Sequence, residues 1–229
     1  MTAKEPSRLW LQSLDTSTLH ERAYQHLKTA LMAGLFRPGE VVTLRGVADQ
    51  LGTSVMPVRE AVRRLVSERA FEMPTSRSIR VPRMSREHFD ELCRCRVLLE
   101  GEAASLAAAN ISAVQIEVLK EKNQAMPARS AVGDVAGMLA ANQAFHFGVY
   151  AHSESQLLVS MIETLWLQGG PYLNLLITPQ PNEQESLIVG GGYHEDLLDA
   201  LVRRDAQAAR AAIAGDISAA AELYRSRIP

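Results

Sequence analysis

Cysteine is nearly missing from this 229-residue chain. The two present, Cys93 and Cys95, stand two apart in a stretch that reads as helix, so they point to different faces. A disulfide between them, a joint metal site and a redox role are therefore not expected. Long apolar runs are missing too, and nothing reaches the roughly 18 residues of a membrane span. The first ten residues, MTAKEPSRLW, lack the apolar core of a signal peptide, so a cytoplasmic location is expected. Gly190-Gly191-Gly192 lacks the Lys-Ser/Thr sequel of a phosphate loop and reads as a flexible lead into a helix. No internal repeat stands out. What is present, 47% hydrophobic and 22% charged residues, suffices for a core in one or two domains.

The net charge of −2 hides an asymmetry: residues 1–83 carry +5 and residues 84–229 carry −7. A basic segment beside an acidic one fits a DNA reader joined to a module that avoids DNA. Within the basic part, Ala23, Leu27, Ala30 and Leu31 recur at helical spacing over 20–33, and Gly34 through Gly39 ends that helix. Val41-Val42-Thr43 reads as a short strand. Residues 44–69, LRGVADQLGTSVMPVREAVRRLVSER, read as two short amphipathic helices joined at Leu51-Gly52-Thr53-Ser54. Val58, Ala61, Val62 and Leu65 share one face of the second helix, while Arg59, Arg63 and Arg64 face elsewhere. A helix-turn-helix whose second helix packs on a core and touches DNA has this pattern. Ser54 or Thr53 is the expected cap of the second helix. Residues 71–81 read as a hairpin, which makes the segment a winged helix.

Pro82 and Ser85 mark a boundary, dividing the chain at 83/84. Beyond it the pattern is all helical, near 86–109, 112–125, 131–152, 154–176, 193–203 and 205–225. Loops are expected at Met126-Pro127, at Thr178 through Asn182 and at the glycine triplet. The fold class is mainly α: a winged helix-turn-helix followed by a helical bundle.

Over residues 19–225 the chain resembles the GntR superfamily of bacterial transcription regulators, in the FadR-like branch with an all-helical FCD effector domain. The resemblance rests on Pro57-Val58-Arg59-Glu60-Ala61, on Arg96 through Ala104, and on Phe145-His146 and His194. It implies a homodimer whose helical domains bind a small metabolite and set the geometry of two winged helices on a double-stranded operator. The alanine-rich stretch Ala103–Ala109 is expected to permit close packing in the dimer. Arg45 and Arg59 match the family's DNA-contacting arginines, and Ser54, Val55, Met56 and Arg63 share that surface. Arg77 and Arg80 are candidate phosphate or minor-groove contacts on the wing. Ser54-Val55-Met56-Pro57 replaces the usual Ser-Arg-Thr-Pro. Val55 and Met56 suit thymine methyl groups. Ser78 and Ala70 stand where glycines are usual.

In the helical part the resemblance implies a divalent-metal site of one aspartate and three histidines. His146 and His194 match two of the histidines. Asn142 stands in the aspartate position, and Asp216 in that of the last histidine by gapless counting from His194; a shifted alignment would instead place Arg227 there. Asn142 and His146, four apart, share a helix face. The set suits zinc, nickel, manganese or similar ions, with direct hydrogen bonding of an effector by Asn142, His146 and His194 as the alternative. Arg96 is expected in the cavity, paired with an effector carboxylate or with Glu100. Tyr150, Trp166 and Tyr172 are cavity or core residues. A metal-dependent enzyme and a winged-helix protein that has lost specific operator binding are the competing functions.

Overall fold

The structure is a computed structural model describing residues 19–177 and 192–225. The lead-in before Leu19, the loop from Thr178 to Asn182, the first two glycines of the triplet and Arg227 lie outside the described residues.

Helix α1, Leu19–Met32, buries Ala23, Tyr24, Leu27, Leu31 and Met32 at helical spacing. Gly34, at φ 67°, turns the chain out of it. β1, Val41–Thr43, leads directly into α2, Leu44–Gln50, whose N-cap Thr43 accepts from the Gly46 N–H. Gly52, at φ 63°, makes the turn into α3, Val55–Ser67, which presses Val58, Ala61, Val62 and Leu65 inward. The hairpin is β2, Glu72–Thr75, and β3, Ser78–Arg80, with β3 central in the antiparallel order β1-β3-β2. Val42 faces Ile79, and the β2–β3 register slips between Glu72 and Thr75. Pro74 sits in that slip, where its missing N–H disturbs no ladder.

The second part comprises α4, Arg86–Asn110; α5, Ala113–Ala131; α6, Val135–Tyr150; α7, Gln156–Ile177; α8, Tyr193–Arg203; and α9, Ala206–Arg225. Two expectations need correction here. Met126-Pro127 is not a loop, because α5 runs through it. Met126 continues the buried face of Ile116 and Leu119, and the signals that stop a helix come later. Gly133 adopts φ 72°, and Asp134 caps α6 by accepting from the Gly137 N–H. The alanine stripe is also spent differently. Ala103, Ala104, Ala107 and Ala108 are fully buried within this chain, on the helix that packs most extensively against α9. Those four alanines therefore close the chain's own bundle.

The two parts touch through α1 and α7. Lys28 pairs with Glu163 at 2.7 Å, and the Gln168 side chain donates to the Glu68 carbonyl at 3.4 Å. The Tyr172 hydroxyl accepts from the Met84 N–H, fastening the segment between hairpin and bundle to α7.

Candidate functional sites

On the winged helix, basic residues gather about the hairpin tip. Arg59 Nη1 donates to the Ser76 carbonyl at 2.7 Å, and the Leu44 N–H donates to the Arg77 carbonyl at 2.9 Å. These bonds bring the middle of α3, the start of α2 and the wing turn together, with Arg45, Arg59 and Arg77 around them. Arg63 lies one turn beyond Arg59. Their present partners are exposed: Arg45 with Asp49 at 3.0 Å, Arg63 with Glu60 at 2.8 Å, Arg80 with Glu72 at 2.5 Å. Such pairs contribute about 0–1 kcal/mol, so phosphates can replace the carboxylates at little loss. Arg64, on the same helix, turns away and stacks 3.6 Å over the Tyr24 ring.

Ser54 is the N-cap of α3, but its hydroxyl makes no capping bond. Met56 is exposed, whereas Val55 is partly buried against the core, so of the apolar pair Met56 is the outward member. The missing glycines have local explanations. Ser78 lies within β3 with its hydroxyl 2.6 Å from Thr75 Oγ1, and the left-handed residue before the wing is Arg69, at φ 60°, rather than Ala70.

The second site is buried in the bundle. α6 supplies Asn142 and His146, the first turn of α8 supplies His194, and α9 supplies Asp216. His146 Nε2 lies 3.2 Å from His194 Nε2 and 3.4 Å from an Asp216 oxygen; His194 Nε2 lies 3.8 Å from the other oxygen. One ligand atom from each of these three residues falls within 4.8 Å of the others. The Asn142 carbonyl oxygen is buried with no hydrogen-bond partner. Burial, which strips water from a charged ring, holds His146 well below its ordinary range and His194 at about 4; the same effect pushes Asp216 up to about 7. At neutral pH both imidazoles are therefore uncharged and able to ligate. Two such nitrogens, a carboxylate and an unpartnered amide oxygen form a donor set that fits a divalent transition metal. Gapless counting thus puts Asp216 beside the two histidines.

A cavity of about 50 Å³ adjoins this cluster. Its walls include Arg96, Asn142, His146, Trp166, Asp216 and the pair Gly169-Gly170. Arg96 pairs with Glu100, Nε to Oε1 at 2.6 Å, and lies 4.8 Å over the Trp166 ring. The internal ion pair and the cavity position therefore coexist. Trp166 is a wall, while Tyr150 stands behind His146 and Tyr172 binds the chain before α4. Cys93 is buried against the same cavity and Cys95 half-buried, both as free thiols. Sequence reasoning missed Asn123, whose side chain lies 3.0 Å from His194 Nδ1, because nothing at its position on α5 distinguishes it from a solvated asparagine.

Comparison with known proteins matches both parts. Residues 19–81 match the bacterial regulatory proteins of the gntR family, and residues 91–219 match the FCD domain. The HTH-type transcriptional regulator McbR of Escherichia coli strain K12 is 33% identical over 189 residues, 82% of this chain and 84% of that protein. The HTH-type transcriptional repressor GlaR of the same organism is 26% identical over 188 residues, covering 80% and 84% of the two chains. A probable D-xylose utilization operon transcriptional repressor of Paenarthrobacter nicotinovorans is 26% identical over 206 residues, covering 90% and 88%. The solved structure of E. coli McbR/YncC superposes with a TM-score of 0.86 at 28% identity, over 93% of this chain and all of that one.

Proposed function

The chain belongs to the bacterial GntR family and carries that family's FCD domain, and from this we propose how its DNA binding is controlled. It is a transcription regulator rather than an enzyme, as are its relatives. In our reading the buried site of the bundle binds a divalent metal through His146, His194 and Asp216, with the Asn142 amide oxygen as fourth donor. A small carboxylate effector enters beside it and meets Arg96. A bound ion there supplies open positions for a carboxylate oxygen. The protein acts as a cytoplasmic homodimer, with residues 1–83 as the DNA-binding domain and 84–229 as the effector and dimerisation domain. Ser54, Met56, Arg45, Arg59, Arg63, Arg77 and Arg80 face the operator.

The observation that carries this reading is the orphaned Asn142 oxygen. A buried polar atom without a partner is costly, and here it lies one helical turn from His146 in a cavity wall shared with Asp216. Direct hydrogen bonding of the effector by Asn142 and the histidines is the competing arrangement, and one experiment separates the two. Purified protein is assayed for metal, then screened by thermal shift against organic and sugar acids with and without zinc, nickel or manganese. The expected result is bound metal and an acid-dependent rise in melting temperature that requires the ion. No metal above background, with His146→Ala leaving effector binding intact, overturns the metal reading.

A further inference from the structure

The two imidazoles of the buried site are held from behind. His146 Nδ1 lies 3.1 Å from the Tyr150 hydroxyl, and that hydroxyl donates to Glu100 Oε2 at 2.6 Å. Glu100 is wholly buried, and its other oxygen accepts from Arg96 Nε at 2.6 Å. A carboxylate paired in this way is acceptor only. The Tyr150 proton is therefore committed to Glu100, and an oxygen lone pair faces His146. His146 must carry its ring hydrogen on Nδ1 to meet it.

His194 is set in the same sense by different residues. The Asn123 amide donates to Glu195 Oε1 at 2.9 Å, which turns the Asn123 carbonyl oxygen toward His194 Nδ1 at 3.0 Å. An acceptor at that place again requires the hydrogen on Nδ1. A neutral imidazole has one ring hydrogen, so both Nε2 atoms present bare lone pairs. These face each other at 3.2 Å, with the Asp216 oxygens beside them. Lone pairs facing each other at this distance repel one another, and a cation between them converts the repulsion into ligation.

We propose that Tyr150 and Asn123 are positioning residues that lock His146 and His194 in the Nδ1–H tautomer and so commit both Nε2 lone pairs to a divalent cation. The inference rests on the metal reading above and assigns the residues that prepare the site before an ion arrives. It also links the two ends of the site. Arg96, the group that faces an effector carboxylate, anchors the Glu100 carboxylate on which the Tyr150–His146 orientation depends. Outer partners of this kind govern ligand orientation and basicity at metal sites.

The test uses the full-length protein, stripped with chelator and labelled with 15N in its histidine rings. Long-range proton–nitrogen spectra are expected to show His146 and His194 as Nδ1–H tautomers, and Tyr150→Phe to shift the His146 signals toward the other form. Zinc and nickel affinities, measured by competition with a chelating dye, are expected to fall by about 10–100-fold in Tyr150→Phe and in Asn123→Leu. Asn123→Asp keeps an acceptor oxygen and is expected to retain affinity. Because loss of the Tyr150 hydroxyl also removes a donor from buried Glu100, the two Asn123 variants keep the test decisive should Tyr150→Phe not fold. Nε2–H tautomers in the stripped protein, or Tyr150→Phe and Asn123→Leu proteins that bind metal within twofold of the parent, overturn the positioning role. Parent protein that takes up neither ion overturns the metal reading itself and the inference with it, which distinguishes the two failures.

Discussion

Gly170 of α7 lies against the backbone of α1 at Leu31 and Met32, so closely that a Cβ on Gly170 would stand 2.8 Å from Met32 Cα and nearer still to the Leu31 carbonyl oxygen. The opposing atoms are main chain and cannot swing aside. Gly170→Ala is expected to force the winged helix off the bundle and to lower stability by about 1–3 kcal/mol. The neighbouring glycine is the control: a methyl on Gly169 meets only Leu92 Cδ2, at an ordinary 3.5 Å. Gly169→Ala is expected to be neutral or to stabilise by up to about 1 kcal/mol, because alanine is the better helix former. Thermal melts of the two variants must diverge in sign or size; equal losses would contradict the close approach.

The arginines around the wing tip differ in expected effect. Arg59→Ala removes the recognition-helix fork and is expected to weaken operator binding by about 1–3 kcal/mol while relaxing preference at one base position. Arg77→Ala is expected to weaken binding to all sequences alike and to reduce the salt slope by about one. Titrations of operator and random duplex at several salt concentrations separate the two patterns. A protein that has lost sequence preference would show the second pattern for both.

Metal removal should be visible in stability. An ion at a hundred times its dissociation constant contributes about 2.7 kcal/mol, so chelator is expected to lower the melting temperature by several degrees. Asn142→Asp replaces the orphaned amide oxygen with a stronger ligand but adds a second carboxylate near Asp216. The stripped variant is expected to melt below the stripped parent, and the gain on adding zinc to exceed the parent's. Calorimetry with and without metal checks both signs, and a smaller gain in the variant would place Asn142 outside the ligand set.

Arg204 closes α8 in the left-handed conformation, at φ 55°, while its guanidinium caps α4 through the carbonyls of Ala109 at 2.6 Å and Ile111 at 3.3 Å. Arg204→Ala loses the cap and keeps the backbone strain, for an expected loss of about 1–2 kcal/mol. Arg204→Gly loses the cap and relieves the strain, so it is expected to be the more stable variant by about 1 kcal/mol. Denaturant unfolding of the three proteins gives the order directly.

Features with a local cause were readable before the structure. The inward face of α3, the turn at Gly52 and the hairpin follow from residue spacing and backbone preference within a few residues. The pairing of Asn142 with His146 also follows, because both sit on one helix face. The features that were misread or missed depend on distant packing. Pro127 looks like a helix end, yet the buried row through Met126 carries α5 past it. The alanines of α4 suggest close packing in a dimer, yet four of them are buried in the chain's own bundle, on the helix that packs against α9. Asn123 and Tyr150 acquire meaning when α5 meets α8 and α6 meets α4. The helix expected over 154–176 does run through Gly170-Pro171, but the close approach of α1 to Gly170 has no signal in the sequence.

The chamber beside Arg96, at about 50 Å³, has room for a few water molecules. One of its walls is Gly169-Gly170, the stretch on which α1 rests. Whatever binds beside Arg96 therefore lies against the same turn of α7 that carries the first helix of the winged part.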